Sequence, residues 1–532
     1  MKKTVYITAF GLLSGMLSAQ NLTDGLRYSM EDIGGTARFR AMSGAFNSLG
    51  GDMSAIALNP AGSSIFTRSE MTLSLQGTNA KNEVGKQATL SSDFLLNQFG
   101  VAFPIAIAEE GWKNVAFAFN YQKANNFEVN DLTYNQQTNG ANLGDYFLHF
   151  ANGIRQENLF LNNYEYNQRA HRWIARSQGG LGSLYSRMGN APDPFRYRNA
   201  ILGYTAGLIA PSGVASEIEE TATEEAGKAI LRANQYKKNI TSGTTTLRKI
   251  EQYSEGGVNK YNFNFAARYD FLSFGLNLNS HSVDYHMVTK HYEQYPDNTE
   301  SSIRSAYFQN ELRTVGSGFS LQLGAIAEVA TGVRIGLTYT SPTWYTLQDE
   351  LSQSLSATTL SNGTYFANPN VVAVYEKYSF RTPGAWTVGA SWVWNKQLIL
   401  SADYMYRGFG NMRFTSDDLL SENAIVQNSL GDTNALRFGA EYRLPMSKTN
   451  HLFLRGGGRY EQSPYKTDYK PISRLKSLSA GVGVSFSGVR VDLSYDITRR
   501  YYQPQLYETV LTDTPMVKNT THNILLSFSM KL

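Results

Sequence analysis

Seven histidines are the side chains with the widest chemical reach in this sequence: His149, His171, His281, His286, His291, His451 and His522. None stands in an H-E-x-x-H pair or beside a G-x-S-x-G elbow, the contexts that give a zinc site or an activated serine. His281, His286 and His291 crowd one segment, with Ser282 and Asp284 between them. Successive residues of an extended chain point to opposite faces, so these three do not all converge. The spacing suits a metal or haem site only weakly. Cysteine is absent, which excludes disulfides, thiolate metal sites and a cysteine nucleophile. The reading is a non-enzyme with no cofactor and no metal.

The elements that carry these residues follow from composition and pattern. Of 532 residues, 42% are hydrophobic, 13% aromatic and only 17% charged, where soluble domains carry about 25% charged residues. Thirty-three Tyr and 28 Phe suit strands rather than helices. A net charge of +4 is too small on this length to argue for nucleic acid. Met1-Lys2-Lys3, an apolar stretch from Val5 to Leu17 and the small residue Ala19 read as a signal peptide over residues 1–19. The apolar stretch is too short for a spanning helix, and no later run of 18 apolar residues exists.

Alternation then separates a secreted β-protein from a membrane barrel. Val115, Phe117, Phe119 and Tyr121 alternate with Ala116, Ala118, Asn120 and Gln122. The same two-residue period recurs at Tyr261–Tyr269, Leu436–Leu444, Val489–Ile497 and Ile524–Leu532. About fourteen such segments begin near residues 70, 98, 114, 260, 271, 314, 331, 377, 396, 433, 450, 474, 488 and 519. Short turns are expected after the second, sixth, eighth, tenth and twelfth strands and longer polar loops elsewhere, the asymmetry of an outer-membrane barrel. Asp403, Arg437, Glu441, Arg443, Arg455, Arg459, Arg490, Asp492 and Asp496 fall on the polar parity, which in a barrel faces the lumen. In a soluble sandwich that face would be solvent. Trp386, Trp392 and Trp394 share the lipid parity of one strand and suit an aromatic girdle. The fold expected is an all-β transmembrane protein: a 14-stranded antiparallel outer-membrane β-barrel. Its domains are a hatch over 20–68 inside the lumen and a barrel over 69–532, with a partly helical extracellular loop inserted at about 130–259. Within that insertion, Ser212–Asn239 reads as a helix, acidic early and basic late. A second helical stretch is expected between Asp145 and Arg176. The insertion reads either as a ligand-capture lid or as a solvated cover of the barrel mouth.

The segment before the barrel carries a resemblance. Ala41-Met42-Ser43-Gly44-Ala45-Phe46, then Asp52-Met53-Ser54-Ala55-Ile56, then Asn59-Pro60-Ala61 resemble the N-terminal hatch of the FadL/TodX family of outer-membrane hydrophobic-compound transporters, with Ser43 in place of one glycine. Gly336–Thr343, Phe380–Trp386 and Ile201–Ile209 look similar to segments of the same family, the last to a haemin-receptor-like branch. The resemblance implies the Gram-negative outer membrane and passive uptake of a long-chain fatty acid or other hydrophobic small molecule. Its further partners would be outer-membrane lipid and the barrel-assembly machinery. It also implies gating at Asn59, Pro60 and Ala61, with lateral exit at a kink in the third strand. Lys123-Ala124-Asn125-Asn126 breaks the alternation there, so Ala124, Asn125 and Asn126 are the candidate kink. A haem receptor and a general porin are the alternative functions.

Overall fold

The computed structural model describes residues 22–532 except 242, 297–302, 360–362, 448, 467–470, 505 and 508. The signal-peptide reading lies outside the described residues.

Fourteen antiparallel strands close into a barrel. They are β1 Glu70–Val84, β2 Gln87–Ala106, β3 Trp112–Asn126, β4 Thr246–Tyr269, β5 Leu272–Gln294, β6 Ile303–Ala330 and β7 Val333–Thr340. The second half is β8 Ala385–Trp394, β9 Leu398–Gly408, β10 Asp432–Pro445, β11 His451–Glu461, β12 Leu475–Phe486, β13 Val489–Tyr502 and β14 Val517–Lys531. Each pairs with its neighbour, and β14 returns to β1 from Glu70↔Lys531 to Glu83↔Lys518, which leaves no open edge. The alternating apolar set forms an outward belt that includes Phe117, Phe263, Phe265, Leu323, Trp386, Trp392, Leu526 and Phe528, all exposed. In water such a belt would be unstable; against lipid tails it is the favourable surface. Among the described residues, no helix is long and apolar enough to cross a membrane.

The starts of β2, β4 and β6, at Gln87, Thr246 and Ile303, come earlier than expected. β4, β5 and β6 run 24, 23 and 28 residues, well past the ~9–11 residues that cross a bilayer. They form a blade above the belt, widened by Leu132–Thr138 beside β4 and Trp344–Thr359 beside β6. The inserted segment therefore ends at Thr246 rather than near residue 259. Two connections expected to be long are short: β4 and β5 join through Asp270-Phe271, and β1 and β2 through Gly85 at φ +57°. A left-handed glycine closes a tight hairpin without a Cβ clash.

The helix expected over Ser212–Asn239 is mostly absent. Only one helix, Glu224–Arg232, forms, capped by Thr223. Gly213 at φ +78° interrupts the run, and Ile209–Pro211 pairs instead with Tyr236–Lys238. Nine residues keep the helix, three enter the ribbon, and 212–223 are turns and irregular structure. The other expected helical stretch holds α1, Leu143–Ala151, followed by a hairpin, Asn162–Asn167 with Arg172–Ser177. A third helix, Pro194–Thr205, sits where proline and Asp193 make a strong start signal. Its Ile201 and Leu202 pack with Phe147 and Phe150 of α1 against Phe308, Leu351 and Leu355 of the blade. The insertion is thus a folded cap seated on the blade.

Candidate functional site

Residues 22–68 fill the lumen, and the wall is shaped to receive them. Three cross-strand glycine pairs face inward: Gly275↔Gly324, Gly336↔Gly389 and Gly439↔Gly457. A Cβ on Gly275 would meet the Pro60 carbonyl carbon at 2.4 Å, and one on Gly324 would meet Asn59 Oδ1 at 2.0 Å. Asn47 lies against the second pair, and Met42 against the third. Each seat brings hatch backbone closer than any side chain would allow. These glycines lie on the inward parity and were passed over because they carry no chemistry.

Asn59 takes φ −136°, ψ 110°, the extended conformation that a following proline favours. Its Oδ1 accepts from Ala61 N (3.1 Å) and caps the short 3-10 turn Pro60–Ile65. Its Nδ2 donates to Asn47 O (2.7 Å) and to Ala325 O of β6 (3.1 Å). One buried amide therefore ties the turn to the hatch and to the wall. Ser43 sits at φ +51°, a left-handed position where glycine is the easy choice. Its hydroxyl meets that of Ser479 at 2.7 Å.

The inward charges hold the same body. Glu441 takes Arg38 of the hatch in a two-pronged contact at 2.8 and 3.0 Å. Asp496 pairs with Arg40 at 2.6 Å. Asp403 accepts from Asn47 N at 2.9 Å. Arg455 bridges Glu441 and Asp492, and Arg490 reaches from Asp492 toward Asp52. Buried pairs of this kind fix one arrangement more than they stabilise it.

Above the hatch lies a cavity of about 460 Å³. Leu26, Met30, Phe127, Tyr285, Met287 and Phe409 give it an apolar side. Across the lumen, β9–β13 contribute Arg407, Arg437, Arg459, Glu461 and Arg500. Arg437 and Arg459 were legible as inward charges. Arg407 and Arg500 share that parity but lie one step beyond the segments read as strands. Glu31 also lines the cavity, 3.7 Å from Lys260. Burial pushes its carboxyl up, but Lys260 and then Arg407 overcome this and hold it at about 2.

The wall is incomplete beside this cavity. The β2–β3 ladder runs only from Ala106↔Asn114 to Gln98↔Gln122. At the next step β3 slips against β4: Lys123 faces Asn259 while Asn125 faces Val258, leaving Ala124 as a bulge. Ala124, Asn125 and Asn126 thus sit at the top of an unpaired interval between β2 and β3. The hatch spans it. Gly35 O accepts from Asn97 of β2 (2.6 Å). Asp32 N donates to Ala124 O (2.8 Å) and Asn125 Oδ1 (3.0 Å), and Asn125 Nδ2 donates to Arg27 O (3.1 Å). Higher up, Asn126 reaches Asp93 of β2 at 2.7 Å.

The histidines lie elsewhere. His281 faces inward against Ser320 Oγ (3.1 Å), His286 faces outward beside Glu311 (2.9 Å), and His291 is buried under the cap. Among the described residues, no group of three His, Asp or Glu has metal-site geometry.

No family model and no curated protein matches the chain. Among solved structures, a FadL homologue from Pseudomonas aeruginosa aligns with TM-score 0.50 and 11% identity, over 94% of this chain and 99% of that one. The Pseudomonas putida toluene transporter TodX aligns at 0.47 and 13%, over 95% and 100%. The CymD monoaromatic hydrocarbon channel aligns at 0.47 and 11%, over 94% and 98%. The class defined by fold and site is a plugged, membrane-spanning 14-stranded β-barrel, an architecture of the Gram-negative outer membrane. Within that class, the chain has the fold of the FadL homologue.

Proposed function

We propose that this protein passively carries long-chain fatty acids or similar hydrophobic molecules across the outer membrane. Cargo is caught at the cap, held in the cavity above the hatch and released sideways between β2 and β3. The observation that carries the reading is the strap Arg27–Gly35. It is bonded to β3 through Asp32 and Asn125 and to β2 through Gly35. A strap held by both edges couples hatch movement to opening of the gap. Asn59, Pro60 and Ala61 act as the fixed point against which the hatch rearranges. Transfer of an apolar molecule from a partly polar cavity to lipid is downhill, so no energy source is required.

Labelled oleate uptake in a strain lacking its own transporter tests this. Uptake by wild type, altered by Asn59→Ala, is expected. Absence of oleate uptake with free passage of small sugars would instead make the protein a general porin.

A further inference from the structure

On β12, β13, β14 and β1 the apolar outward face gives way to cations. Lys476 lies next above Leu478 on the outward parity of β12, and Arg499 next above Ile497 on β13. Lys518 and Lys81 hold the same parity on β14 and β1. Register gathers them: Lys476 pairs with Arg499, Arg499 with Thr520, Thr520 with Lys81, and Lys518 with Glu83. Arg474, exposed just before β12, extends the patch. Counted from Phe486 and Val489, at the end opposite the blade, Lys476 and Arg499 each stand ten residues along their strands. There the ~9–11 residues that cross a bilayer run out, so the patch lies at the level of the outer-leaflet headgroups.

These five cations share one carboxylate: Glu83 takes Lys81 and Lys518, each at 2.8 Å. Arg474, Lys476 and Arg499 form no ion pair among the described residues. Like charges directly opposite each other, as Lys476 and Arg499 are, destabilise a sheet; an anion laid across them removes the repulsion. On the blade, by contrast, the outward charges come in opposite pairs, His286 with Glu255 and Glu311, and Arg313 with Asp284. Below the cations the lipid-facing wall is hollowed. A depression of about 500 Å³ opens to the membrane between Leu454, Ala480, Val482, Leu493, Tyr495 and Ile524. Ala480, the smallest of these, stands opposite Tyr495. Two outward positions further up the same two strands are Lys476 and Arg499. An apolar hollow under a cationic rim is complementary to an amphiphile with its chain in the membrane and an anionic head above it.

We propose that this face is a docking site for an outer-leaflet glycolipid whose headgroup carries phosphates. The phosphate oxygens accept from the Lys and Arg side chains, with Lys476 and Arg499 at the centre, while an acyl chain fills the hollow beside Ala480. The long stems of these residues cover apolar wall and carry their charged ends to the headgroups. The site faces lipid, away from the lumen and the hatch, so the bound lipid is a fixed part of the protein's surroundings rather than cargo. The inference is therefore independent of the transport reading.

The test is equilibrium binding of labelled bisphosphorylated lipid A to the delipidated full-length protein in non-ionic detergent, with EDTA present so that no divalent cation bridges the contact. Lipid A stripped of both phosphates should bind wild type at least tenfold more weakly. Lys476→Gln with Arg499→Gln should weaken bisphosphorylated lipid A tenfold or more and leave the stripped lipid within twofold. Ala480→Trp, which fills the hollow, should weaken both. All three positions are exposed, and heat-modifiable gel mobility shows that each variant barrel folds. Equal binding of phosphorylated and stripped lipid A by wild type overturns the site, and this comparison needs no variant. Unchanged affinity in the double variant puts the phosphates elsewhere and overturns it as well. Full displacement of the lipid by millimolar inorganic phosphate would make the patch a site for free phosphate and overturn the lipid assignment.

Discussion

Asn59 fits the barrel wall because residue 324 is glycine: a Cβ there would stand 2.0 Å from Asn59 Oδ1. The adjoining Gly275 has the same relation to the backbone of Pro60. Gly275→Val should therefore overpack the seat by about 1–3 kcal/mol and loosen the hatch. The expected result is sensitivity to large antibiotics that the wild-type barrel excludes. Gly456→Ala is the control, since its added Cβ would meet only Ser479 O at an ordinary 3.8 Å. Equal antibiotic exclusion by both variants would contradict the seating account.

Asn59→Ala removes an acceptor and two donations at a residue with no solvent exposure. Each buried group left unsatisfied destabilises by about 1–3 kcal/mol. Asn59→Asp keeps the cap on Ala61 but loses both donations and adds a buried charge. Both variants should melt earlier than wild type and show frequent channel openings in planar bilayers. A quiet bilayer trace from Asn59→Ala would remove this residue from the gate.

Glu31 should make hatch stability depend on pH. Its carboxyl is held at about 2 against an ordinary 4.5. A depressed carboxylate contributes stability that is present above about 4.5 and lost as pH falls toward about 2. About a third of the side chain is accessible, so the contribution is of order 1 kcal/mol. Glu31→Gln should lower the melting temperature at pH 7, with the difference from wild type vanishing near pH 2. A difference that persists at low pH would mean Lys260 and Arg407 do not act through this charge.

The cap hangs on Glu293. Its carboxylate accepts from Leu143 N at the start of α1 (2.8 Å), from Arg248 (3.0 Å) and from Tyr295 (2.7 Å), and it stands 2.9 Å from His291 Nε2. Removing one partner of a buried ionic network costs about 3–5 kcal/mol. Glu293→Ala should release the cap, read as rapid tryptic cleavage between β3 and β4 while the barrel keeps its heat-modifiable gel mobility. Unchanged cleavage would show that the apolar contacts of Phe147 and Phe308 hold the cap alone.

The barrel was legible because lipid imposes a two-residue period that survives along every wall strand. Phe117, Phe263 and Trp386 declared the outward face, and Arg437, Glu441 and Asp496 the inward one. What periodicity could not convey was how far the strands run past the membrane. Above the belt both faces of β4–β6 become mixed, so their outer ends were read as loop. The cap was misread for a related reason: the charge order of Ser212–Asn239 is a local signal, and the pairing of Ile209–Pro211 with Tyr236–Lys238 is not local. At the site, Asn59 stood out through the resemblance of the hatch segment, and the run from Lys123 to Asn126 through broken alternation in the strand to which that resemblance pointed. The strap Arg27–Gly35 did not, because it bonds mainly through backbone groups that any sequence supplies.

The most direct test of the account is to close the gap with the hatch sequence unchanged. Ala124 is the residue by which β3 slips against β4. Deleting it restores the register and lets the β2–β3 ladder continue past Gln98 and Gln122. Oleate uptake by this variant should fall at least tenfold, with folding and antibiotic exclusion as in wild type. Uptake at the wild-type rate would contradict lateral exit and send the cargo through the hatch into the periplasm.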